Sequence, residues 1–235
     1  VSGIAAFIGL EILLLCFIVT FNYEQFVELP KATANQLAEE THERVGAVIG
    51  SIVMAIVVIM FYFKGSFNFD KKAKFLKILA QIWIFLNAIL VISAMLKNTE
   101  YVYYLGLTYK RLGVYAFLSL AIIGLIFTFI KVSKQKTNAF LFNQMFWYVY
   151  GTILVCSFIN WGGIITSHNL KREDFAANYH FNSVDFNDKQ LLEYYQKTNN
   201  KEMYKILKDK IIARQNESFL SKVLYDESIS FNESK

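Results

Sequence analysis

Thr108 and Arg111 stand one helical turn apart within TEYVYYLGLTYKRLGVY, residues 99–115. On a helix this spacing puts the hydroxyl and the guanidinium on one face, where the two groups suit an anionic ligand. A structural interpretation is also open, because tyrosine rings and a snorkelling arginine are typical of the lipid headgroup level. Both interpretations predict a loop at a membrane surface.

Polar residues crowd the stretch from Glu39 to Arg44, directly before an apolar run. Glu39 and His42 have the i, i+3 spacing of some metal ligands, but the pattern occurs once and has no second histidine. Acidic side chains at a helix start complement the positive end of the helix dipole. We therefore expect a helix start with surface ion pairs at Glu39 and Arg44, and no metal site.

A third polar group, FINWGGIITSHNLKR at residues 158–172, follows the last long apolar run. Asn160 and Trp161 are expected near the membrane interface, and the glycines that follow let the backbone bend or pack closely. Asn169 lies near the end of this stretch. The histidines of the chain are predicted to lie at the surface rather than to bind a ligand: His42, His168 and His180.

Glu11 is the acidic residue that lies inside an apolar run. A carboxyl group within a bilayer is costly unless it is protonated, faces other helices or lines a cavity. One interpretation is a proton or ion site. The other is a protonated side chain bonded to a neighbouring helix, or a span that starts later and leaves Glu11 nearer the surface.

The composition is that of a membrane protein. Hydrophobic residues make up 55% of the chain and charged residues 18%, against roughly 25% charged in soluble domains. Five apolar segments have the roughly 20 residues that cross a bilayer core as a helix. A soluble protein of this length would lack the polar residues to cover five such helices. The predicted spans are residues 1–20, 45–63, 76–96, 112–130 and 139–165.

Lysine and arginine are unevenly shared between the predicted loops, and loops rich in them face the cytoplasm. Loops 64–77 and 131–138 carry eight lysines, whereas loops 21–44 and 97–111 carry five lysines or arginines over a greater length. We therefore expect the first pair of loops in the cytoplasm. With five spans, the C-terminal tail then lies on the non-cytoplasmic side.

Residues 167–235 are predicted to form a small soluble helical hairpin, separate from a transmembrane bundle over residues 1–166. Asn187 or Asp188 stands where a helix N-cap is expected. Apolar residues then recur at helical spacing over both helices and give the hairpin one apolar face. They are Leu191, Leu192, Tyr195, Met203, Leu207 and Ile211.

Motifs for catalysis or cofactor binding are missing, because the chain has no GxSxG, Walker, HExxH or GxGxxG sequence. No predicted span contains a histidine, which a haem or quinone site would need. The excess of positive charge lies in short loops of the apolar part, which favours membrane orientation over nucleic-acid binding. The sequence therefore favours a protein that is not an enzyme and that uses no cofactor.

The three polar groups occur in the same order in a family of bacterial multi-pass inner-membrane proteins, which this chain resembles over about residues 20–210. The family is domain of unknown function forty-one-seventy-three, related to forty-one-fifty-three. The resemblance implies a helical bundle in the inner membrane with further helices upstream of residue 1, and it implies no activity. It depends on Ala38 and Glu39, on Tyr103 or Tyr104 followed by Gly106, Leu107, Thr108 and Arg111, and on Asn169 with Leu170.

Because all three groups fall on the predicted non-cytoplasmic side, we expect them to form one ligand or partner face. Our first hypothesis is a non-enzymatic scaffold, sensor or accessory subunit of a membrane complex, in contact with the lipid bilayer and with other membrane protein chains. The alternatives are an ion-coupled transporter that uses Glu11 and a membrane enzyme that acts on an anionic lipid or envelope precursor. The predicted face comprises Glu39, Arg44, Tyr104, Gly106, Thr108, Arg111, Asn160, Trp161 and Asn169.

Overall fold

The computed structural model describes residues 2–26, 34–64, 66–70, 73–217 and 223–231. Regular structure in these ranges is helical. In chain order the helices are α1 Ser2–Phe26, α2 Ala34–Tyr62, α3 Ser66–Phe69, α4 Lys74–Leu105, α5 Tyr109–Ser133, α6 Asn138–Ser157, α7 Trp161–Asn169, α8 Ala177–Ser183, α9 Asp188–Lys197, α10 Lys201–Gln215 and α11 Leu224–Glu227.

Within the described ranges, five helices are long and apolar enough to cross a membrane. The predicted fold class, an all-α membrane bundle with five spans and helices in the C-terminal tail, is therefore confirmed. Large apolar side chains such as Phe61, Phe142 and Ile153 are exposed on these helices, which implies contact with lipid. The spans are Gly3–Tyr23, Val45–Tyr62, Lys74–Leu105, Tyr109–Ser133 and Asn138–Ser157.

The end of α4 corrects the predicted loop at residues 97–111, because the helix continues to Leu105. Tyr103 and Tyr104 therefore lie on the last turn of a helix. No glycine or proline interrupts the sequence from Lys97 to Leu105, so nothing stops the helix earlier. It ends at Gly106, whose φ of 79° is the left-handed conformation that commonly terminates helices.

The fifth span is also shorter than predicted, since α6 ends at Ser157 and not at residue 165. A separate helix, α7, begins at Trp161. Asn160 caps this new helix: its side-chain oxygen accepts a hydrogen bond from the backbone N–H of Gly163 at 2.9 Å. Apolar content alone did not reveal the break, because the residues on both sides of Asn160 are apolar.

Contacts divide the chain into two compact units. The first comprises Val1–Leu105 and Lys110–Ser157, and the second comprises Gly106–Tyr109 and Phe158–Lys235. The short segment 106–109 thus belongs to the second unit, although it joins α4 to α5 in sequence. The sequence predicts a bundle over residues 1–166 and a soluble tail over residues 167–235, and that division stays a prediction.

In the first unit, α1 and α2 pack against α4. Phe7 is fully buried, and its ring meets the ring of Trp83 edge to face at a centroid distance of 5.3 Å. A hydrogen bond of 2.9 Å from Ser93 to the side chain of Asn22 adds a polar link between α1 and α4. These contacts make α4 the most buried of the five spans.

In the second unit, α9 and α10 pack together through apolar residues that the sequence had indicated, among them Leu191, Leu207 and Ile211. In the same unit, Arg214 forms ion pairs with two aspartates. The guanidinium of Arg214 donates to Asp188 at 2.7 Å and to Asp226 at 2.8 Å. Because both carboxylates are buried, they depend on Arg214 for compensation of their charge.

Candidate functional site

The side chain of Asn169 holds the backbone of Leu107 within the second unit. Asn169 is the last residue of α7 and is buried. Its Oδ1 accepts a hydrogen bond from the Leu107 N–H at 2.7 Å, and its Nδ2 donates to the Leu107 carbonyl at 2.8 Å. One amide thus satisfies both polar groups of a buried residue, as a neighbouring β-strand would. We call this paired contact the amide clasp.

Gly106 fits beside the amide clasp because it has no side chain. A Cβ at this position would lie 2.8 Å from Oδ1 of Asn169, which is closer than real contacts allow. The positive φ of Gly106 also disfavours any other residue. This glycine is therefore needed for the close approach of the segment to α7.

A buried polar network continues from the clasp to His180 on α8. Nδ2 of Asn169 lies 3.2 Å from Nε2 of His180, and Nδ1 of His180 lies 2.9 Å from the hydroxyl of Thr166. Asn187 donates to that hydroxyl and to the carbonyl of His180, each at 2.9 Å. All of these side chains are buried, and burial lowers the pKa of His180.

Three members of this network were missed or misassigned from the sequence. His180 was expected at the surface and is buried, with 2% of its surface exposed. Asn187 does occupy the N-cap position of α9, but its side chain makes no capping bond and turns into the network instead. Thr166 was not singled out, because an isolated threonine in an apolar stretch carries no pattern.

At the start of α7, the backbone at Gly162 packs so closely against its neighbours that it leaves no room for a Cβ. A Cβ on Gly162 would overlap the backbone carbonyl of Asp185. Asn160 adds a second tie, since its Nδ2 donates to the carbonyl of Phe186 at 2.9 Å. Asn160 and Trp161, both predicted members of the face, therefore lie at a structured helix start in the second unit.

One side of α7 borders an open cavity of about 470 Å³, which we call the α7 groove. Lys171 at its edge is exposed, and His168 is half-buried. The pKa of His168 is lowered by burial and by the positive charges of Lys171 and Arg172. No carboxylate is among the described residues that line the groove. The polar lining consists of Asn160, Ser167, His168, Lys171 and Gln190.

Two predicted members of the face, Tyr104 and Arg111, belong to the first unit. Arg111 donates to the carbonyl of Leu105 at 2.8 Å, and its guanidinium lies 3.9 Å from the ring centroid of Tyr101. It thereby binds a carbonyl at the C-terminal end of α4 and stacks on an aromatic ring. The ring of Tyr104 is exposed and contacts that of Tyr103 edge to face.

The remaining predicted residues have different outcomes. Gly106 and Thr108 lie in the second unit with Asn169, and Thr108 is half-buried. The side chains of Glu39 and Arg44 lie outside the described residues. Of the nine residues predicted to form one face, five thus share the second unit: Gly106, Thr108, Asn160, Trp161 and Asn169.

For the described side chains, a metal site would require several ligating groups close together. Within the ranges that the structure covers, no group of three or more His, Cys, Asp or Glu side chains could hold a metal ion. The buried network consists of two amides, a hydroxyl and an imidazole that bond to one another or to backbone. Such an arrangement can fasten chain segments together, and its imidazole can respond to protons.

Glu11 lies on α1 in the first unit. One of its carboxyl oxygens, Oε1, is buried and has no hydrogen-bond partner among the described residues. A buried oxygen without a donor is costly. A proton on this carboxyl group or a bound cation would reduce that cost.

Comparison with protein families assigns most of the chain to one family. The family model described as Domain of unknown function (DUF4153) matches residues 4–191. Of the two related families that the sequence resembles, the match identifies the second, forty-one-fifty-three, rather than forty-one-seventy-three. No curated protein and no solved structure matches the chain.

Proposed function

Because the chain belongs to the DUF4153 family, whose function is unknown, we propose that it is a non-enzymatic component of the bacterial cytoplasmic membrane. In this proposal it serves as a scaffold, sensor or accessory subunit, and its second unit binds another membrane protein. The contact surface is the α7 groove, and the partner presents an acidic or phosphorylated group to it.

The charge of the α7 groove is the observation that carries this proposal. Lys171, His168 and the amide of Gln190 line one open surface, and no carboxylate among the described lining residues opposes them. Arg172, next in sequence, is already paired with Asp174 at 2.9 Å, whereas Lys171 makes no ion pair with a described residue. An uncompensated cation beside hydrogen-bond donors favours an anionic partner and steers its approach.

We place the second unit on the non-cytoplasmic side of the membrane in this proposal, and charge and chain connectivity support this location. The lysine-rich loops 64–77 and 131–138 are expected in the cytoplasm. Each span carries the chain to the opposite side, so the residues that follow the fifth span, from 158 onward, would lie outside. Asn160 is three residues beyond that span, and three residues extend at most about 11 Å. The start of α7 is thus within reach of the lipid headgroups.

The non-enzymatic part of the proposal is supported by the way the motif residues are used. Asn169 forms the amide clasp with Leu107, Gly106 leaves room for it, and Arg111 binds Leu105 and Tyr101. These contacts stabilise the fold, as is expected of a scaffold or subunit.

Copurification in mild detergent tests the proposal. We compare the full chain with the variants Lys171→Glu and Lys201→Glu; both lysines are exposed in the second unit, but only Lys171 lines the α7 groove. We expect a membrane protein to copurify with the wild type and with Lys201→Glu, and its recovery to fall about tenfold with Lys171→Glu.

Two results would contradict the proposal. In one, the wild type is recovered alone and monomeric. In the other, Lys171→Glu retains its partner as well as Lys201→Glu does. Unchanged circular dichroism of both variants serves as the control for folding.

A second candidate function, ion-coupled transport, is favoured by the unpartnered Oε1 of Glu11. A carboxyl group that takes up a proton within a span could couple proton movement to a substrate. The measurement is proton flux in proteoliposomes that contain the wild type or Glu11→Gln. Transport requires that the wild type moves protons and that Glu11→Gln does not; equal flux with both removes this candidate.

A further inference from the structure

We propose that Asn169 and His180 form an acid-sensitive latch, which holds segment 106–109 while His180 is neutral and releases it when His180 takes up a proton. The latch rests on hydrogen-bond geometry within the second unit and does not depend on the partner-binding function proposed above. It would give the protein a response to the pH on the side of the membrane where the second unit lies.

The backbone of Leu107 fixes the orientation of the Asn169 amide. The Leu107 N–H can only donate, so the atom 2.7 Å away must be the oxygen of Asn169. The Leu107 carbonyl can only accept, so the atom 2.8 Å away must be the nitrogen. Unlike most asparagine side chains, this one cannot be turned over without breaking both bonds.

The fixed amide in turn determines the protonation state of His180. Nδ2 of Asn169 is a donor and lies 3.2 Å from Nε2 of His180, which must therefore accept and carry no proton. The ring proton then resides on Nδ1 and is donated to the hydroxyl of Thr166 at 2.9 Å. The amide clasp thus selects one neutral tautomer of His180.

A proton added at Nε2 would bring two N–H donors face to face. If the Asn169 amide turned over to accept this proton, its oxygen would face the Leu107 carbonyl and its nitrogen would face the Leu107 N–H. Both bonds of the clasp would become repulsive. Protonation of His180 is therefore incompatible with the closed clasp, whichever way the amide points.

Among the described residues, the contacts of His180 include no charged group that relieves this conflict. Its ring contacts are with Phe175, at a centroid distance of 4.7 Å, and Tyr179, at 5.4 Å. On the neighbouring elements, Asp188 is bound to Arg214 and Asp174 to Arg172, while His168 and Lys171 line the α7 groove. Burial lowers the pKa of His180, in agreement with the neutral state that the clasp demands.

The direction of the response follows from linkage. An open segment lets His180 titrate near its ordinary value of 6.5, whereas the closed clasp keeps its pKa lower. The open form therefore binds more protons. As the pH falls between these two pKa values, the share of the open form rises by up to about tenfold per pH unit. Below the lower value the effect saturates.

Hydrogen exchange at the Leu107 amide tests the latch, because this N–H is bonded only while the clasp is closed. The full chain in detergent is measured at about pH 7.5 and about pH 5, with rates corrected for the intrinsic effect of pH. We expect wild-type protection to fall in acid, by at most about tenfold for each pH unit below the ordinary histidine pKa. In His180→Gln, which has no titrating ring, protection should not depend on pH.

His168→Gln is the matched control, since it removes a half-buried histidine of the same unit that is not part of the latch. It should retain the wild-type response. The latch is overturned if wild-type protection is equal at both pH values, if His180→Gln still loses protection in acid, or if His168→Gln abolishes the loss.

Nuclear magnetic resonance of the wild-type imidazole provides a test that does not depend on the folding of a variant. At neutral pH, His180 should carry its proton on Nδ1, and it should titrate below the ordinary histidine pKa of about 6.5. A proton on Nε2 at neutral pH would contradict the geometry from which the latch is inferred.

Discussion

Asn169 pairs with the backbone of Leu107 through both ends of its side-chain amide, at 2.7 and 2.8 Å, across 62 positions of sequence. This pairing brings the segment between α4 and α5 into the second unit. It also explains why the two elements that suggested a family resemblance, around Gly106 and around Asn169, occur in one protein. Each element supplies half of the clasp.

Gly106→Ala should destabilise the second unit. An alanine would adopt an unfavourable positive φ, and its Cβ would lie 2.8 Å from Oδ1 of Asn169. We expect a loss of about 1–3 kcal/mol, measured as thermal unfolding in detergent by tryptophan fluorescence. Gly113→Ala is the control, because no atom lies within 4 Å of a Cβ there; equal effects of the two substitutions would contradict the role of Gly106.

Asn169→Asp should reverse the pH dependence of stability. Its second carboxylate oxygen would face the Leu107 carbonyl, which is unfavourable, and would attract a protonated His180. The pKa of His180 would then rise, so this variant should be more stable in mild acid than at neutral pH, opposite to the wild type.

The control for this reversal is Asn169→Leu, which removes the clasp and adds no charge. It should be destabilised at neutral pH and should not gain stability in acid. Unfolding midpoints at several pH values make the comparison. If Asn169→Asp lost stability in acid as the wild type does, the proximity of this side chain to His180 would have no energetic consequence.

The wild-type second unit should lose stability as the pH falls below the ordinary histidine value of 6.5. The pKa values of His180 and His168 are both lowered in the folded state. The unfolded chain therefore binds more protons. As the pH decreases, the free energy of unfolding falls by at most about 1.4 kcal/mol per pH unit for each histidine.

The two histidines are separated by substitution. His168→Gln should remove the contribution of the half-buried histidine, and His180→Gln that of the buried one. Denaturant unfolding at several pH values gives the slopes. A stability that rose in acid would show that the folded state binds more protons, contrary to the lowered values.

Arg214→Met should destabilise the C-terminal end of the second unit strongly. The substitution leaves the buried carboxylates of Asp188 and Asp226 close together without a cation. Because Arg214 itself is 30% exposed, water would moderate the loss to about 2–3 kcal/mol. Thermal unfolding is the measurement. Lys197→Met removes an exposed cation of the same unit and should change stability little; an equal loss would contradict the role of burial.

The membrane-spanning part of the fold could be predicted because five apolar segments of sufficient length have no alternative to helix in lipid. The helix ends were less predictable. The end of α4 depends on a left-handed glycine at 106, and the end of α6 on a cap at Asn160. Both signals are single residues within sequences that otherwise favour continuation.

The site could be predicted only where a residue pattern was present. Gly106 and Asn169 belong to such patterns, whereas His180 and Asn187 obtain their roles from partners that the tertiary fold supplies. A lone histidine followed by asparagines looks like a surface residue in the sequence. Its burial becomes evident only when α7, α8 and the start of α9 come together.

The most direct test of the amide clasp is the exchange rate of the Leu107 N–H at neutral pH in the wild type and in Asn169→Ala, with Ile211 in α10 as internal reference. Slow exchange in the wild type and exchange at least about tenfold faster, relative to Ile211, in the variant is the result we predict. Fast exchange of Leu107 in the wild type, or equal relative rates in both proteins, would contradict the clasp.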